Sequence, residues 1–313
     1  MSQMLLRITE ESLIQSGMLG KFLPPLVQIA TQAIHKYSQP LDQPPPVCLL
    51  ERSAILALCK YMCVSSQICQ QNIDLLFALL RSNIDFGVKA NIIIAVGDLF
   101  NRFPNVLNEK TKDIFTLLHD PVPHVRRQAL MVMTHLILND MLKLKGEIVD
   151  ICMLLEDPED RIRDQVKLFL HELHTKANHI IYNLFPKAIS RLSKEFAHLP
   201  RDKFENIARN LLTHIDKDKQ TEQIVDKLCT KLRNAQSPVE WRNTAFCLSQ
   251  LKYTEKIFSK LVDYHETCYK ERLVESPEVR EYFALIVQQV KKFTKPEIKK
   301  IVDDFELKIS TAG

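Results

Sequence analysis

Ile114–Leu136 reads IFTLLHDPVPHVRRQALMVMTHL, and 37 residues further on Ile151–Leu173 reads ICMLLEDPEDRIRDQVKLFLHEL. Laid over each other, the two stretches place Ile114 on Ile151, Leu117 on Leu154, Val125 on Ile162, Ala129 on Val166 and Leu136 on Leu173. A weaker copy precedes them, with Phe77, Leu80, Val88, Ile92 and Leu99 in the same register. A fixed period of this size marks a repeat architecture. In the second part of each copy apolar residues fall at i, i+4, i+7 or i+8 and i+11, as in Val125, Ala129, Val132, Met133 and Leu136. That spacing is one buried face of an α-helix, and the shorter apolar stretch upstream is a first helix, so each unit is a helical hairpin. The joins read Leu118-His119-Asp120-Pro121 and Leu155-Glu156-Asp157-Pro158. There Asp can cap the next helix while Pro occupies its first turn without losing a needed donor.

Six residues after each Asp stands a base: Arg126 follows Asp120, Arg163 follows Asp157, and Lys89 follows Asn83 in the weaker copy. The pattern resembles a HEAT repeat, which implies an all-α solenoid, a superhelix of antiparallel helical hairpins. It also implies that Asp120, Arg126, Asp157 and Arg163 form a structural ladder between turns instead of binding a ligand. Outward from this core, Ile55, Leu58 and Met62 stand 37 residues before Ile92, Ala95 and Leu99, so the array begins near residue 48. Ser38–Pro46 holds four prolines and no helical period, the composition of a linker or long loop. We expect three domains: a helical segment with its proline-rich linker over 1–47, repeats of 37-residue period over 48–193, and irregular helical repeats over 194–313. In the last, helices are readable at about 203–215, 219–234, 238–251, 254–272, 277–293 and 296–308. Ser237-Pro238 and Ser276-Pro277 read as helix starts, although each also resembles a proline-directed phosphorylation site.

Composition agrees with helices. Six glycines in 313 residues disfavour turn-rich β architectures and glycine-rich phosphate loops. No apolar run approaches the roughly 20 residues of a membrane span, and the amino terminus lacks the pattern of a signal peptide. The eight cysteines form no C-x-x-C pair; Cys59 and Cys63, one helical turn apart in an apolar stretch, read as core residues in a reducing compartment. A net charge of +4 permits a nucleic-acid surface without demanding one.

Motifs for chemistry are lacking. Gly17-Met18-Leu19-Gly20-Lys21 is too short between its glycines and continues into Phe22, so it is no phosphate loop. His171, Glu172, His174 and His179 do not make H-E-x-x-H, and no metal site is expected. The acidic group Glu156, Asp157, Glu159 and Asp160 falls on an inter-helix turn, where capping and solvation account for it. No catalytic residue and no cofactor is expected. Lys143 and Lys145, in the loop Asn139–Gly146, are the candidates for contact with a phosphate backbone. Lys291, Lys292, Lys295, Lys299 and Lys300, diluted by acids, read as a solvated helix face.

Four strings go beyond a generic repeat: KANIIIAVGDLFNRFPN from Lys89, MTHLILNDMLKLKGEI from Met133, IYNLFPKAISRLS from Ile181 and DKDKQTEQIVDKLC from Asp216. They resemble the carboxy-terminal HEAT region of the condensin complex subunit 1 family, the D-type non-SMC subunits, and THLILNDM followed by Lys145-Gly146 favours the condensin I form. The resemblance covers roughly residues 48–310. It implies a non-catalytic scaffold that binds the kleisin chain and the SMC ATPase heads and contacts DNA without sequence preference in mitotic chromosome condensation. It places such a chain in the nucleus and on mitotic chromosomes, with cytoplasm in interphase. Family members are several times longer, which implies a fragment, short isoform or truncated gene model. Two rival readings stand beside it: a transport or adaptor solenoid that carries peptides without chromatin contact, and a hydrolase hidden in the irregular last third.

Overall fold

The computed structural model describes residues 4, 8, 10–38, 46–176, 179–292 and 296–311; most of the proline-rich stretch read as a linker lies outside them. Among the described residues every regular element is helical and there is no strand. The fold is an all-α HEAT-type repeat array, divided into two units, Met1–Lys143 and Leu144–Gly313.

In the first unit the hairpins are Leu23–Tyr37 with Leu49–Val64, Ser66–Arg81 with Phe86–Arg102, and Thr111–Thr116 with Pro123–Leu138. Their second helices lie side by side, Phe86–Arg102 in the middle. The periodic residues Val88, Ile92, Leu99, Val125, Ala129 and Leu136 are all 1% exposed or less, so the repeat is a packing repeat. Gly97 sets the distance between two of these helices, because a Cβ there would lie 2.8 Å from Cγ1 of Val132. The helix starts are local. Asp85 and Asp120 accept from the amides of Gly87 and Val122 at 3.0 and 2.9 Å. Cys48 plays the part usually taken by Ser: its thiol accepts from the Glu51 amide, while the Glu51 carboxylate accepts from the Cys48 amide at 3.0 Å. Thr111–Thr116 passes into a 3₁₀ turn at Leu117–His119, which makes the first helix short.

The second unit contains Ile148–Met153 with Asp160–Lys176, His179–Lys194 with Arg201–Leu212, Asp218–Asn234 with Pro238–Ser249, and Glu255–Glu275 with Pro277–Lys291, followed by Pro296–Thr311. The helix expected over 254–272 is interrupted: Glu255–Asp263 and Lys270–Glu275 are joined through a π turn at His265–Tyr269. Ser237 and Ser276 are N-caps, their hydroxyls accepting from the amides of Glu240 and Val279 at 3.2 and 3.4 Å. Pro186 lies inside His179–Lys194, and the Lys231 ammonium donates to its carbonyl at 3.1 Å. Phe258, Tyr269, Phe283 and Phe305 close the end of this core, with Tyr269 and Phe283 centroids 4.4 Å apart. Among the described residues no helix is long and apolar enough to cross a membrane.

Candidate interaction surfaces

The turns joining first to second helices carry the predicted ladder residues. Lys89 reaches the carboxylate of Asp120 in the next repeat at 3.2 Å, with only 13% and 8% of the two side chains exposed. One repeat earlier Arg52 meets Asp85 at 3.2 Å, a rung the sequence reading missed because the 37-residue register puts Ser82–Asn83, not Asp85, near the aligned position. Arg126 folds back on its own turn, donating to the carbonyls of Asp120 and Pro121 at 2.9 and 3.1 Å. Arg163 does the same with Asp157 and Pro158, 3.0 Å to the latter. Asp157 is buried, and its carboxylate accepts from the Glu159 amide at 2.9 Å. The two arginines thus satisfy carbonyls that the turns leave without a helical partner.

The loop after Pro123–Leu138 is shaped by Asp140, the one non-glycine residue with positive φ, at 59°, among those described. This left-handed residue lets the Met141 amide return to the carbonyl of Leu136 at 2.9 Å, a helix stop usually made with glycine. Leu142 is then buried and Lys143 exposed. Lys145 is also exposed, its amide donating to the Glu147 carboxylate at 3.1 Å. Neither lysine has an ion-pair partner among the described residues. Downstream, Arg191 holds Gly146 by its carbonyl at 3.0 Å and grips buried Asp150 with two bonds of 2.6 and 3.2 Å. Only Glu195, 2.7 Å from its Nε, is a local partner, and Gly146 and Asp150 lie more than 40 residues away, so nothing near Arg191 in the sequence announces this role.

Residues weighed for chemistry take structural places. The thiols of Cys59, Cys152 and Cys247 are pushed up to about 12 by burial, the opposite of an activated nucleophile. All eight cysteines are free; Cys48 is exposed and Cys63 half-buried. Glu156 accepts from Asn206 at 2.5 Å, and Asp160 pairs with Arg163. His174 lies 4.0 Å from Asp216 and its ring 5.3 Å from that of His214, while His171, Glu172 and His179 are exposed. Among the described residues no group of three or more His, Cys, Asp or Glu is placed to hold a metal ion.

A family model described as non-SMC mitotic condensation complex subunit 1 matches residues 87–249. Condensin complex subunit 1 of Xenopus laevis is 39% identical over 292 residues, 93% of this chain and 20% of that protein. Its counterpart in Mus musculus is 37% identical over 309 residues, 98% of this chain and 21% of the other. The condensin-1 complex subunit CAP-D2 of Arabidopsis thaliana is 39% identical over 261 residues, 83% and 18% respectively. The chain therefore spans about a fifth of the length of these relatives. The mouse alignment corrects one expectation: the likeness does not begin at residue 48 but extends into the amino-terminal segment.

Proposed function

This chain belongs to the condensin complex subunit 1 family, and on that premise we propose that it is a non-catalytic scaffold module of condensin. It binds the kleisin chain and the SMC partners, and it contacts DNA as mitotic chromosomes condense. The observation that carries this reading is the 39% identity with a condensin subunit across 93% of the chain. The physical form of the chain supports it, because stacked hairpins offer long surfaces on which a partner can be laid across several repeats. ATP hydrolysis belongs to the SMC partners in this reading. Nucleus and mitotic chromosomes are the corresponding location.

Within the scaffold, Asp120, Arg126, Asp157 and Arg163 serve the array: their bonds run to turn carbonyls, turn amides and neighbouring repeats. Lys143 and Lys145 are assigned to DNA. Their exposure, and the lack of an acidic partner among the described residues, leave both ammonium groups available to phosphates. Affinity co-purification from mitotic cells tests the whole proposal. Recovery of two SMC proteins and a kleisin is the expected result. Recovery of transported cargo without SMC proteins would favour an adaptor solenoid instead.

A further inference from the structure

The helix Pro238–Ser249 is built unlike the second helices of the 37-residue repeats. Those keep one side open, where Ile94, Met131 and Leu168 are exposed. In Pro238–Ser249 every residue from Asn243 to Ser249 is buried, about two turns of helix, so all its sides are covered there. It is enclosed by His179–Lys194, Arg201–Leu212, Asp218–Asn234 and Pro277–Lys291. Arg201–Leu212 and Pro277–Lys291 belong to hairpins with another hairpin between them in the chain, whereas stacked repeats ordinarily touch only the next one. Here the two helices meet directly. Arg201 donates to the Tyr282 hydroxyl at 2.6 Å, and that hydroxyl donates to the Glu205 carboxylate at 2.9 Å. Arg201 closes the ring with its own bond to Glu205 at 2.8 Å and reaches Glu278 at 3.5 Å. Aromatic rings adjoin these polar groups: Tyr282 packs edge-on against Phe246, centroids 5.6 Å apart, and Phe246 against Phe204 at 6.2 Å. Burial, then the bond to Glu205, pushes the Tyr282 hydroxyl up to about 12, so it stays protonated and remains a donor. Tyr282 is 5% exposed, whereas the Arg201 and Glu278 side chains are 45% and 44% exposed.

We infer that Arg201, Glu205, Glu278 and Tyr282 form a clasp, a conformational device that makes Arg201–Leu212 and Pro277–Lys291 open and close as one and shuts Pro238–Ser249 inside. A repeat array opens hairpin by hairpin, because each is held only by its neighbours. Across the clasp, releasing either helix breaks the same bonds, so neither gains freedom while the other stays docked. The inner pair resists opening, since a Tyr282 hydroxyl parted from Arg201 and Glu205 would stay buried without a partner until the whole helix moved. The outer pair makes the device adjustable from the surface. A charged group that competes for the Arg201 guanidinium or the Glu278 carboxylate slackens it without entering the core.

Hydrogen–deuterium exchange read by mass spectrometry tests the clasp in the 313-residue chain. In the parent, amides of the two helices should exchange at one common slow rate. Tyr282→Phe keeps the ring and removes the hydroxyl. It should speed exchange about tenfold in both helices, the usual weight of a hydrogen bond to a charged group, and leave Phe86–Arg102 unchanged. Arg201→Gln should do the same, and the double variant should be no faster than the faster single one, because both cut one link. Circular dichroism checks that each variant is folded. Glu278→Lys alters only an exposed position and decides the matter if the others do not fold: like charges at the outer pair should speed exchange in Arg201–Leu212, where nothing has been changed. Exchange that rises only in the helix carrying the substitution, or single effects that multiply in the double variant, overturns the inference. The clasp does not rest on the condensin reading, which either result leaves as it stands.

Discussion

The surroundings of Lys231 oppose its charge. Burial lowers its ammonium to about 8, against the partly offsetting influence of Cys247 and Glu240, with Lys194 lowering it further. The native pKa lies below the ordinary 10.5, so the fold disfavours the charged form. The contribution of Lys231 to native stability is therefore smallest below about pH 8 and rises as the pH climbs toward 10.5. Lys231→Met removes the charge and keeps the stem. We expect its melting temperature at pH 7 to equal or exceed the parent's, and the alkaline rise to vanish; a fall of several degrees would mean that the bond to Pro186 outweighs the buried charge. His214 acts on the acid side. Burial, then His174 and His171, hold its imidazole below the usual 6.5. The unfolded chain takes up that proton first, so stability present above pH 6.5 is lost as the pH falls through it. The urea midpoint should be lower at pH 5.5 than at pH 7.5, and His214→Gln should narrow the difference.

Helix ends and helix contacts are where single elements are vulnerable. Ser276 is buried and its hydroxyl is the partner of the Val279 amide. Ser276→Ala should cost about 1 kcal/mol in denaturant unfolding, the usual loss of an N-cap. Gly97→Val pushes a branched side chain into Val132 and should destabilise by about 1–3 kcal/mol through overpacking. Both starts at Ser237 and Ser276 were legible, because a cap and a proline act within one turn. The hairpins at Ile114–Leu136 and Ile151–Leu173 were legible too, since their period records which face is buried. The π turn at His265–Tyr269 was not. Its residues suit a regular helix, and the extra residue accompanies long-range packing of His265 and Tyr269 against Phe305. The Arg191–Asp150 pair escaped because it joins elements distant in sequence.

At the scale of the whole molecule, the proposed contact with DNA has a thermodynamic signature. Binding should be indifferent to sequence and fall steeply with salt, because phosphate neutralisation releases counterions. Lys143→Glu with Lys145→Glu should weaken it equally on unrelated duplexes and reduce the slope against log salt by about 2. Unchanged binding in a filter or anisotropy titration would move the contact elsewhere. Repeats stabilise one another chiefly through their neighbours, so opening need not be all-or-none. The free thiols turn that into something countable. Cys48 is open to an alkylating reagent at once, and Cys63 partly so, whereas Cys59, Cys69, Cys152, Cys229, Cys247 and Cys268 are shut inside their helices. A buried thiol reacts only when the turn around it opens, and at a rate set by that opening. With Cys69, Cys152, Cys229 and Cys268 each in a different hairpin, the native protein carries its own set of stopwatches, and mass spectrometry of the alkylated peptides would read which repeat lets go first.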